Sequence, residues 1–284
     1  MIIVRLNGGL GNQLFQYAAA RRLSLKLAVP LKLDLAAFEG DKLRVFELDA
    51  FNIEASIASR DEVDKFGSVG IFQKIKRKLG FETAIIKEKY YHFDPQILNA
   101  LDGSYLEGYW QSYRYFEDQS AVISRDLTMK KSLSGENKTM SARMNSVDSS
   151  CLHIRRGDYV SNQQTNQFHG TCSLAYYQQA VGQLVDKVNE AEIFVFSDDI
   201  PWAKENLVFD LPMTFVDHNS AKNAYEDLRL MTACKYFVIA NSSFSWWGAW
   251  LAQYNTKEVY APKLWFADQT INTQDLIPPG WHRV

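Results

Sequence analysis

The chain has 284 residues, of which 46% are hydrophobic and 13% aromatic, and its formal net charge is −2. This length is ample for a large core in one or two domains, and the near-balance of charge argues against a nucleic-acid-binding protein. Three cysteines without CxxC spacing argue against a zinc site or a disulfide framework, and they favour a reducing compartment.

The chain begins with a compact apolar strand over residues 2–6. No signal peptide is indicated, because Arg5 and Asn7 interrupt the apolar run at once. No uninterrupted apolar run reaches the length of a membrane span. We therefore expect a soluble intracellular protein, located in the cytoplasm or at the inner face of the membrane.

A glycine-rich turn, NGGLGNQ at residues 7–13, joins this strand to a helix predicted over about residues 12–26. A strand, a glycine turn and a helix N-terminus together offer backbone N–H groups to an anion. The candidate residues for binding a ligand at this turn are Gly9, Gly11, Asn12 and Gln13.

Two other interpretations of the glycine turn remain open. Gly9 and Gly11 fit the first two positions of a dinucleotide-binding fingerprint, although Leu14 occupies the third. Asp34, after a second predicted strand over residues 31–33, lies roughly where such a fingerprint has its ribose-binding acid. The alternative is a purely structural strand-to-helix turn.

The stretch from residue 36 to residue 100 is less regular. Residues 72–79, FQKIKRKL, form a basic amphipathic patch that suits a solvated helix face or weak association with an anionic membrane surface. Residues 105–116 are rich in aromatic side chains and predict either a core strand or a strand followed by a ligand-facing turn. In the second case Tyr109, Trp110 and Gln111 are candidates for binding a ligand.

The composition changes between residues 130 and 150, where the chain is polar and only weakly periodic. We interpret this stretch as the connection between two domains, although a helix over about residues 137–145 is compatible with it. The predicted domains are residues 1–145 and residues 146–284.

From residue 151 onward, strands and helices alternate at least four times. The predicted strands after the one that begins at Cys151 are residues 193–196, 213–216, 236–240 and 258–261. The predicted helices cover about residues 173–189, residues 224–233 and a segment from Ser242 to about Tyr254. Such alternation implies right-handed crossovers and a mainly parallel sheet.

Polar residues follow each of these strands. They are His153, Arg155, Arg156 and Asp158, then Asp198 and Asp199, then Asp217, and finally Asn241, Ser242 and Ser243. Ligands of open α/β sheets bind outside the carboxyl ends of the strands. We therefore predict one nucleotide site that is formed by all four loops.

The residue types suit a nucleoside diphosphate. Two adjacent arginines at the end of a buried strand are costly without an anionic partner, and a guanidinium pairs well with phosphate oxygens. Phe244 and the serines before it supply N–H groups at a helix start. A structural Arg–Asp pair in a surface turn is the alternative. A metal is disfavoured, because Asp198 and Asp199, as neighbours on a strand, would point to opposite faces.

Five segments carry a resemblance to a known family. They read NGGLGNQLFQY at 7–17, LEGYWQS at 106–112, HIRRGDY at 153–159, FSDD at 196–199 and IANSSFSWWGAWL at 239–251. In this order they resemble the bacterial galactoside 2-alpha-L-fucosyltransferases of glycosyltransferase family 11. The blocks at 153–159 and 239–251 are the specific ones.

The resemblance implies an α/β architecture of the GT-B type, with two Rossmann-like domains that face a central cleft. The N-terminal domain would bind the acceptor and the C-terminal domain the donor. The implied reaction is inverting transfer of L-fucose from GDP-β-L-fucose to the 2-hydroxyl of a terminal β-galactoside, which forms an α-1,2 linkage. GDP-L-fucose is a co-substrate, and no metal or other cofactor is expected.

The resemblance also implies roles for individual residues. Arg155 binds the donor diphosphate with support from Arg156, while His153 and Asp217 hold the guanine. The other residues expected at the donor are Asp198, Asn241, Ser242, Ser243 and Phe244. The glycine turn would contact either donor or acceptor. Tyr109, Trp110 and Gln111 would contact the acceptor.

The catalytic step is expected to be an in-line displacement with an oxocarbenium-like transition state. Arg155 would stabilise the charge on the departing GDP. The candidates for taking the proton from the acceptor hydroxyl are Asp158, His169 and Glu226. Asp158 has an alternative role in orienting the arginines, and His169 is also a candidate for contacting the acceptor. Strong assistance to GDP departure would make a dedicated base unnecessary.

Two other functional classes remain open from the sequence. One is a nucleotide- or glycan-binding module without catalysis, which would share the arginine site. The other is a nicotinamide-dependent oxidoreductase built on Gly9, Gly11 and Asp34. The acceptor galactoside is not identified by the sequence.

Overall fold

The computed structural model describes residues 1–41, 43–67, 85–157, 167–188 and 190–284. The chain forms two compact units. The first unit contains Met1–Lys130 and Asn272–Leu276, and the second contains Lys131–Ile271 and Ile277–Val284. The basic patch over residues 72–79 lies outside the described residues, so membrane-surface association stays a prediction.

The first unit is built on five strands and their flanking helices. The strands are β1 (Ile2–Arg5), β2 (Leu31–Asp34), β3 (Ser56–Ile57), β4 (Ile85–Lys87) and β5 (Tyr105–Glu107). The described α-helices are α1 (Leu10–Leu27), α2 (Arg60–Gly67) and α3 (Ser120–Asp126). All paired strands run parallel in the order β3-β2-β1-β5-β4, so β1 and β5 lie side by side at the centre.

Helix α1 is almost wholly buried, which explains its apolar sequence. Leu14, Tyr17 and Ala18 recur at helical spacing and are fully buried. The helix begins at Leu10, close to the predicted start, and it ends at Ala28. Ala28 adopts a left-handed conformation with φ 53°, and its N–H donates to the Leu25 carbonyl at 3.2 Å.

The second unit has the alternation predicted from its sequence. Its strands are β6 (Asp148–Ile154), β7 (Ala191–Ser197), β8 (Met213–Val216), β9 (Tyr236–Val238), β10 (Glu258–Ala261) and β11 (His282–Arg283). Its described α-helices are α4 (Gly135–Ser146), α5 (Leu174–Val185), α6 (Ile200–Asn206), α7 (Ala224–Met231) and α8 (Ser243–Leu251).

The six strands of the second unit are also all parallel, in the order β11-β10-β9-β6-β7-β8. Counted from β6 as the first strand, this is the order 3-2-1-4-5-6 read from the β8 edge, which is the Rossmann order. The predicted α/β class with parallel sheets is therefore confirmed.

The division of the chain differs in detail from the predicted boundary between residues 145 and 146. Helix α4 belongs to the second unit, because it packs beside β6 and α7. Residues Asn272–Leu276 belong to the first unit, where Asp275 Oδ1 lies 2.9 Å from Nη1 of Arg114. Asp275 also accepts the Phe93 N–H at 3.1 Å.

Tandem tryptophans at the start of α8 form part of the core of the second unit. Trp246 and Trp247 are fully buried, and their ring centroids are 5.1 Å apart. A Cβ at Gly248 would lie 2.9 Å from the Cβ of Met231, so glycine allows α8 to pack closely against α7. Core packing, rather than sugar stacking, therefore explains the two tryptophans. Within the described ranges, none of the helices is long and apolar enough to cross a membrane.

Candidate active site

The order of strands in the second unit reverses between β6 and β9. These strands are hydrogen-bonded neighbours, with Leu152 opposite Val238, and the chain continues from them toward opposite edges of the sheet. Such a reversal opens a crevice outside the carboxyl ends of the two strands. Arg155 follows β6, and Asn241 leads from β9 into α8. Two of the four predicted loops thus meet at the centre of the sheet.

Asp198, which follows β7, orients Arg155. Its Oδ2 lies 2.9 Å from Nη1 of Arg155, and its Oδ1 accepts the backbone N–H of Arg156 at 2.8 Å. The carboxylate can approach because residue 157 is glycine, where a Cβ would lie 2.6 Å from Oδ2. Both paired side chains are 25% exposed. Arg155 is therefore fixed in direction by a partly exposed ion pair.

Arg156 lies in a different environment. Its guanidinium carbon is 3.9 Å from the centroid of the Trp202 ring, a cation–π contact. Its Nε is 3.6 Å from Oδ2 of Asp199, whose other oxygen accepts the Trp202 N–H at 3.2 Å at the start of α6. Both arginines thus pair with an aspartate, and the structural Arg–Asp pair considered from the sequence stays an alternative for each of them.

His153, near the end of β6, is 5% exposed and neutral at physiological pH. Burial, and to a smaller extent the charge of Arg155, lowers its pKa to about 3. The ring centroid lies 5.9 Å from that of Phe244. Its Nδ1 is buried and has no hydrogen-bond partner among the described residues. A buried ring nitrogen without a partner is costly, and a ligand that pairs with it would remove that cost.

Asn241 holds together the loops above the crevice. It is 3% exposed, and its Nδ2 lies 2.9 Å from the His169 carbonyl oxygen and 3.2 Å from those of Gly170 and Trp265. Its Oδ1 lies 3.5 Å from the Sγ of Cys172. The side chain thus positions neighbouring backbone, and its predicted contact with the donor stays a prediction.

The N-terminus of α8 points into the same region. The Oγ of Ser242 accepts the Phe244 N–H at 3.3 Å, which caps the helix. Ser243 and Phe244 are partly exposed, whereas Ser242 is buried. Backbone N–H groups and the helix dipole favour negative charge at this end of the nine-residue helix.

Asp217 lies apart from this centre. It follows the edge strand β8, which β7 separates from β6. Its Oδ2 lies 2.9 Å from Nζ of Lys204, and both side chains are half exposed. The pairing with Lys204 lowers the pKa of the Asp217 carboxyl. The geometry therefore gives Asp217 a surface ion pair, and its predicted contact with guanine stays a prediction.

The proposed proton acceptors differ in what surrounds them. Asp158 lies outside the described residues. The ring of His169 is 4.8 Å from that of Phe168 and 5.6 Å from that of Phe266, so it belongs to an aromatic group. Glu226 pairs with Arg229 through both carboxylate oxygens, at 2.5 and 2.6 Å, which leaves it less suited to act as a base.

The glycine turn of the first unit is closed by its own side chains. Gln13 is fully buried, and its Nε2 donates to the Gly8 and Val45 carbonyls at 3.0 and 2.8 Å. Glu47 accepts the N–H of Leu10 at the start of α1, and burial raises the pKa of its carboxyl. The N-terminus of α1 therefore already has an anion beside it, which argues against a diphosphate there.

The other residues predicted at this turn occupy its surroundings. Gly9 faces the guanidinium of Arg44, whose Nη1 would lie 3.3 Å from a Cβ added at residue 9. Gly11 is buried in the first turn of α1. The Oδ1 of Asn12 accepts from Nε2 of Gln111 at 2.8 Å, which links the turn to the segment after β5.

The segment after β5 separates the aromatic residues predicted to meet an acceptor. Trp110 is fully buried and adopts a left-handed backbone conformation with φ 57°. Tyr109 is 36% exposed, and Gln111 is 9% exposed. The Trp110 ring therefore presents no face to a sugar, whereas Tyr109 is exposed and its predicted contact with an acceptor stays a prediction.

Comparisons with known proteins identify the family to which the chain belongs. The sequence model of Glycosyl transferase family 11 matches residues 1–284. The chain belongs to glycosyl transferase family 11. It is 34% identical over 291 residues to an alpha-1,2-colitosyltransferase of Escherichia coli, covering 100% of this chain and 99% of the relative. It is 35% identical over 310 residues to the O-antigen biosynthesis glycosyltransferase WbnK of Escherichia coli, covering 97% and 98%.

The fold of this family 11 protein is also found in a solved fucosyltransferase. The crystal structure of NodZ alpha-1,6-fucosyltransferase soaked with GDP-fucose matches with a TM-score of 0.50 and 15% identity, covering 88% of this chain and 92% of the other. At this identity the match shows the shared fold alone. The membership in family 11 that was predicted from the five motifs is confirmed.

Asp227 is a partly buried carboxyl near β6 that is not among the site residues predicted from the sequence. Asp227, in the first turn of α7, accepts from Nδ2 of Asn219 at 2.8 Å, and Asn137 bridges Asn219 to His218. Burial raises the pKa of the Asp227 carboxyl. The carboxyl acts electrostatically on Cys151, two residues before His153 on β6. The signal available in the sequence was an acidic pair in the first turn of a short helix.

Within the described ranges, no group of three or more histidine, cysteine, aspartate or glutamate side chains is arranged to hold a metal ion. Asp198 and Asp199 instead face the two arginines. The positive charge in this crevice therefore comes from guanidinium groups and a helix N-terminus.

Proposed function

We propose that the protein transfers L-fucose from GDP-β-L-fucose to the 2-hydroxyl of a terminal β-galactoside, with inversion, to form an α-1,2 linkage. Membership in glycosyl transferase family 11 supports the reaction class. The observation that carries the proposal is the guanidinium of Arg155, oriented by Asp198 at the reversal of strand order, where the ring of nearby His153 lies 5.9 Å from that of Phe244 in α8. The two Rossmann-like units are proposed to have a GT-B arrangement.

Arg155 would serve the departing diphosphate. As the bond between fucose and GDP breaks, negative charge grows on the leaving oxygen, and a guanidinium already aimed at that position needs little reorganisation. Asp198 orients this guanidinium through the ion pair with its Nη1, and it also accepts the backbone N–H of Arg156. The positive end of the α8 dipole, at Ser243, is the proposed second source of stabilisation.

His153 and Phe244 would meet the nucleoside. The neutral ring of His153 has a buried Nδ1 without a hydrogen-bond partner among the described residues. The ring of the partly exposed Phe244 lies 5.9 Å from the His153 ring. A carboxylate matches the two N–H donors on the edge of guanine. We favour Asp227 over Asp217 as the carboxylate that binds guanine. Asp227 is the more buried of the two, whereas Asp217 is half exposed and pairs with Lys204.

The nucleophile is the acceptor hydroxyl, which attacks the anomeric carbon opposite the leaving phosphate and loses its proton. Asp158 and His169 are the proposed acceptors of that proton. We further propose that the first unit contributes the acceptor side, through Tyr109 and Gln111. The glycine turn supports Gln111 through Asn12 rather than binding phosphate.

A second candidate differs only in the sugar. The whole-length match to an alpha-1,2-colitosyltransferase supports transfer of colitose, which is L-fucose without its 3-hydroxyl. Side-by-side assays with the GDP derivatives of both sugars distinguish the two donors. A preference of about tenfold in kcat/KM corresponds to one productive hydrogen bond to the 3-hydroxyl.

The experiment that tests the proposed function is a turnover assay with GDP-L-fucose, a panel of terminal β-galactosides, and EDTA. Acceptor-dependent GDP release that survives EDTA, with an α-1,2 linkage by NMR, is the expected result. GDP binding without turnover would favour the non-catalytic binding module. Absence of both would overturn the assignment of Arg155.

The oxidoreductase alternative predicts binding of a nicotinamide dinucleotide at the first unit. Asp34, its ribose-binding candidate, is 5% exposed and accepts hydrogen bonds from the Tyr105 hydroxyl and the Ala36 N–H. A buried carboxylate with these partners is not available to a ribose. Titration with NAD is therefore expected to show no binding.

A further inference from the structure

Glu88, the residue directly after β4, joins the ends of two neighbouring strands in the first unit. Its Oε2 accepts the N–H of Tyr109 at 2.6 Å, and its Oε1 accepts the N–H of Trp110 at 2.9 Å. A Cβ at Gly108 would lie 2.3 Å from the Cβ of Glu88, so only glycine allows this approach. The carboxylate is thereby fixed at the carboxyl end of the edge strand β4, beside the end of its neighbour β5.

The two hydrogen bonds hold an unfavourable backbone conformation. Trp110 has φ 57°, which costs a non-glycine residue about 1 kcal/mol or more. Its ring is fully buried and packs edge-on against Tyr115, with centroids 5.7 Å apart. The Trp110 side chain thus lies in the core, whereas Tyr109, whose N–H donates to the carboxylate, is 36% exposed.

Other aromatic side chains surround this carboxylate. Burial is the main cause that raises the pKa of Tyr91, followed by the Tyr109 hydroxyl and the Glu88 carboxyl. Tyr91 therefore lies close to Tyr109 and Glu88. One residue earlier, Tyr90 is 53% exposed and stacks on His92 with ring centroids 4.8 Å apart and an interplanar angle of 20°. This edge therefore presents accessible flat rings next to a fixed acceptor of hydrogen bonds.

The nearby cations Lys87 and Arg5 form ion pairs with Glu107. Nζ of Lys87 lies 2.8 Å from Glu107, and Nη1 of Arg5 lies 3.1 Å from the same carboxylate. Glu88 itself accepts hydrogen bonds from backbone N–H groups. Its negative charge in turn contributes to raising the pKa values of the Tyr91 and Tyr115 hydroxyls. Burial outweighs the two N–H donors and raises the pKa of Glu88 to about 7.

A desolvated carboxyl group between aromatic rings suits a neutral, hydroxyl-rich ligand. Each carboxylate oxygen has two lone pairs, so one remains on each after the backbone hydrogen bonds are made. Sugar hydroxyls donate to such lone pairs, while the C–H face of a pyranose packs on a flat aromatic ring. A cationic ligand is not required by this arrangement, and an anionic one would be repelled when Glu88 is ionised.

We propose that Glu88, Tyr91 and Tyr109 form the acceptor-binding site of the first unit, in which the Glu88 carboxylate accepts hydrogen bonds from hydroxyls of a neutral terminal galactoside. This inference rests on the proposed function and names the side chains that recognise its acceptor. Glu88 is a binding residue in this assignment, and the proton from the reacting hydroxyl is not assigned to it.

The test compares Glu88→Gln with Glu107→Gln in the full-length protein. Glutamine preserves size but loses charge and one acceptor oxygen, so the acceptor KM is expected to rise about tenfold in Glu88→Gln. The KM for GDP-L-fucose and the Kd for GDP should stay unchanged. In Glu107→Gln, which removes an acid from the neighbouring strand end, the acceptor KM should change less than twofold, roughly the worth of an exposed ion pair.

A second variant tests the same site in case Glu88→Gln fails to fold. Tyr109→Ala removes an exposed ring without touching the backbone N–H that Glu88 accepts, and it should also raise the acceptor KM alone. Saturation-transfer NMR with methyl β-galactoside in the presence of GDP gives a readout independent of turnover.

The outcomes separate the two proposals. An active enzyme whose acceptor KM is unchanged in both Glu88→Gln and Tyr109→Ala would overturn the assignment of this site while leaving the proposed function standing. A wild-type protein without turnover on any galactoside, and without galactoside signals in saturation-transfer NMR, would instead overturn the proposed function. Selective loss of acceptor recognition in both variants, with GDP affinity intact, would support the site.

Discussion

The carboxylate of Asp198 joins the guanidinium of Arg155, 2.9 Å from Nη1, to the backbone N–H of Arg156, 2.8 Å away. One side chain from the end of β7 therefore fixes both the direction of a cation and the path of the chain after β6. The ion pair with Arg155 is only partly buried. This preorganisation is what a developing diphosphate charge requires.

Replacing Asp198 by asparagine should weaken GDP binding about tenfold, because Arg155 loses the charged partner that orients it. Isothermal titration calorimetry with GDP measures the effect. The control is Asp148→Asn at the opposite end of β6, which removes a partly exposed pair with Lys235 and should change the Kd less than about twofold. Unchanged or tighter GDP binding in Asp198→Asn would show that its negative charge opposes the phosphates more than its hydrogen bonds help.

Replacing Gly157 by alanine should reduce GDP affinity through the same carboxylate. The new Cβ would lie 2.6 Å from Oδ2 of Asp198, so the pair with Arg155 must shift. Gly182→Ala is the control, since a Cβ there meets nothing within 4 Å inside α5, and it should stabilise the protein by about 0.5–1 kcal/mol. Thermal unfolding with and without GDP separates the two effects. A full GDP-induced shift in Gly157→Ala would contradict the prediction.

His153 should make the protein less stable as the pH falls below about 6.5. Its folded-state pKa is lowered to about 3 from 6.5, so below pH 6.5 the unfolded chain binds a proton that the folded protein does not. Stability therefore rises with pH between these two values. From pH 7 to pH 5 the expected loss is about 2 kcal/mol.

Urea unfolding at pH 5 and pH 7 measures this loss, and the comparison with His153→Gln isolates it from other titrating groups. The variant should be less stable at pH 7, because a buried ring is removed, but should lose about 2 kcal/mol less than the wild type on acidification. An equal loss in both proteins would show that other groups cause the pH dependence.

Replacing Asn241 by aspartate should destabilise the second unit by about 3 kcal/mol or more. The change replaces a donor to three carbonyl oxygens, at 2.9, 3.2 and 3.2 Å, with an oxygen that repels them, in a side chain that is 3% exposed. Urea unfolding gives the free energy. Asn206→Asp is the control, because it loses a single bond to the Trp202 carbonyl at the end of a short helix and should cost about 1 kcal/mol. Similar costs at both positions would contradict the clamp role of Asn241.

The sequence determined the fold class and the family. Alternating strands and helices after residue 151 imply parallel crossovers, and β6 to β10 lie within a few residues of the predicted strands. Helix periodicity located α1, α5, α7 and α8 for the same reason, because a buried stripe must recur every 3.6 residues. The motifs at 153–159 and 239–251 correctly predicted family 11.

Only the tertiary structure decided which of the candidate residues have which partners. Arg155 and Arg156 are adjacent and identical in sequence, yet one pairs with Asp198 at a crevice and the other stacks on Trp202. Tyr109 and Trp110 are likewise neighbours, but Trp110, in a left-handed conformation, is fully buried, whereas Tyr109 is exposed. These distinctions depend on partners that are distant in the chain, such as Asp198 and Glu88, and local patterning carries no record of which distant side chains meet.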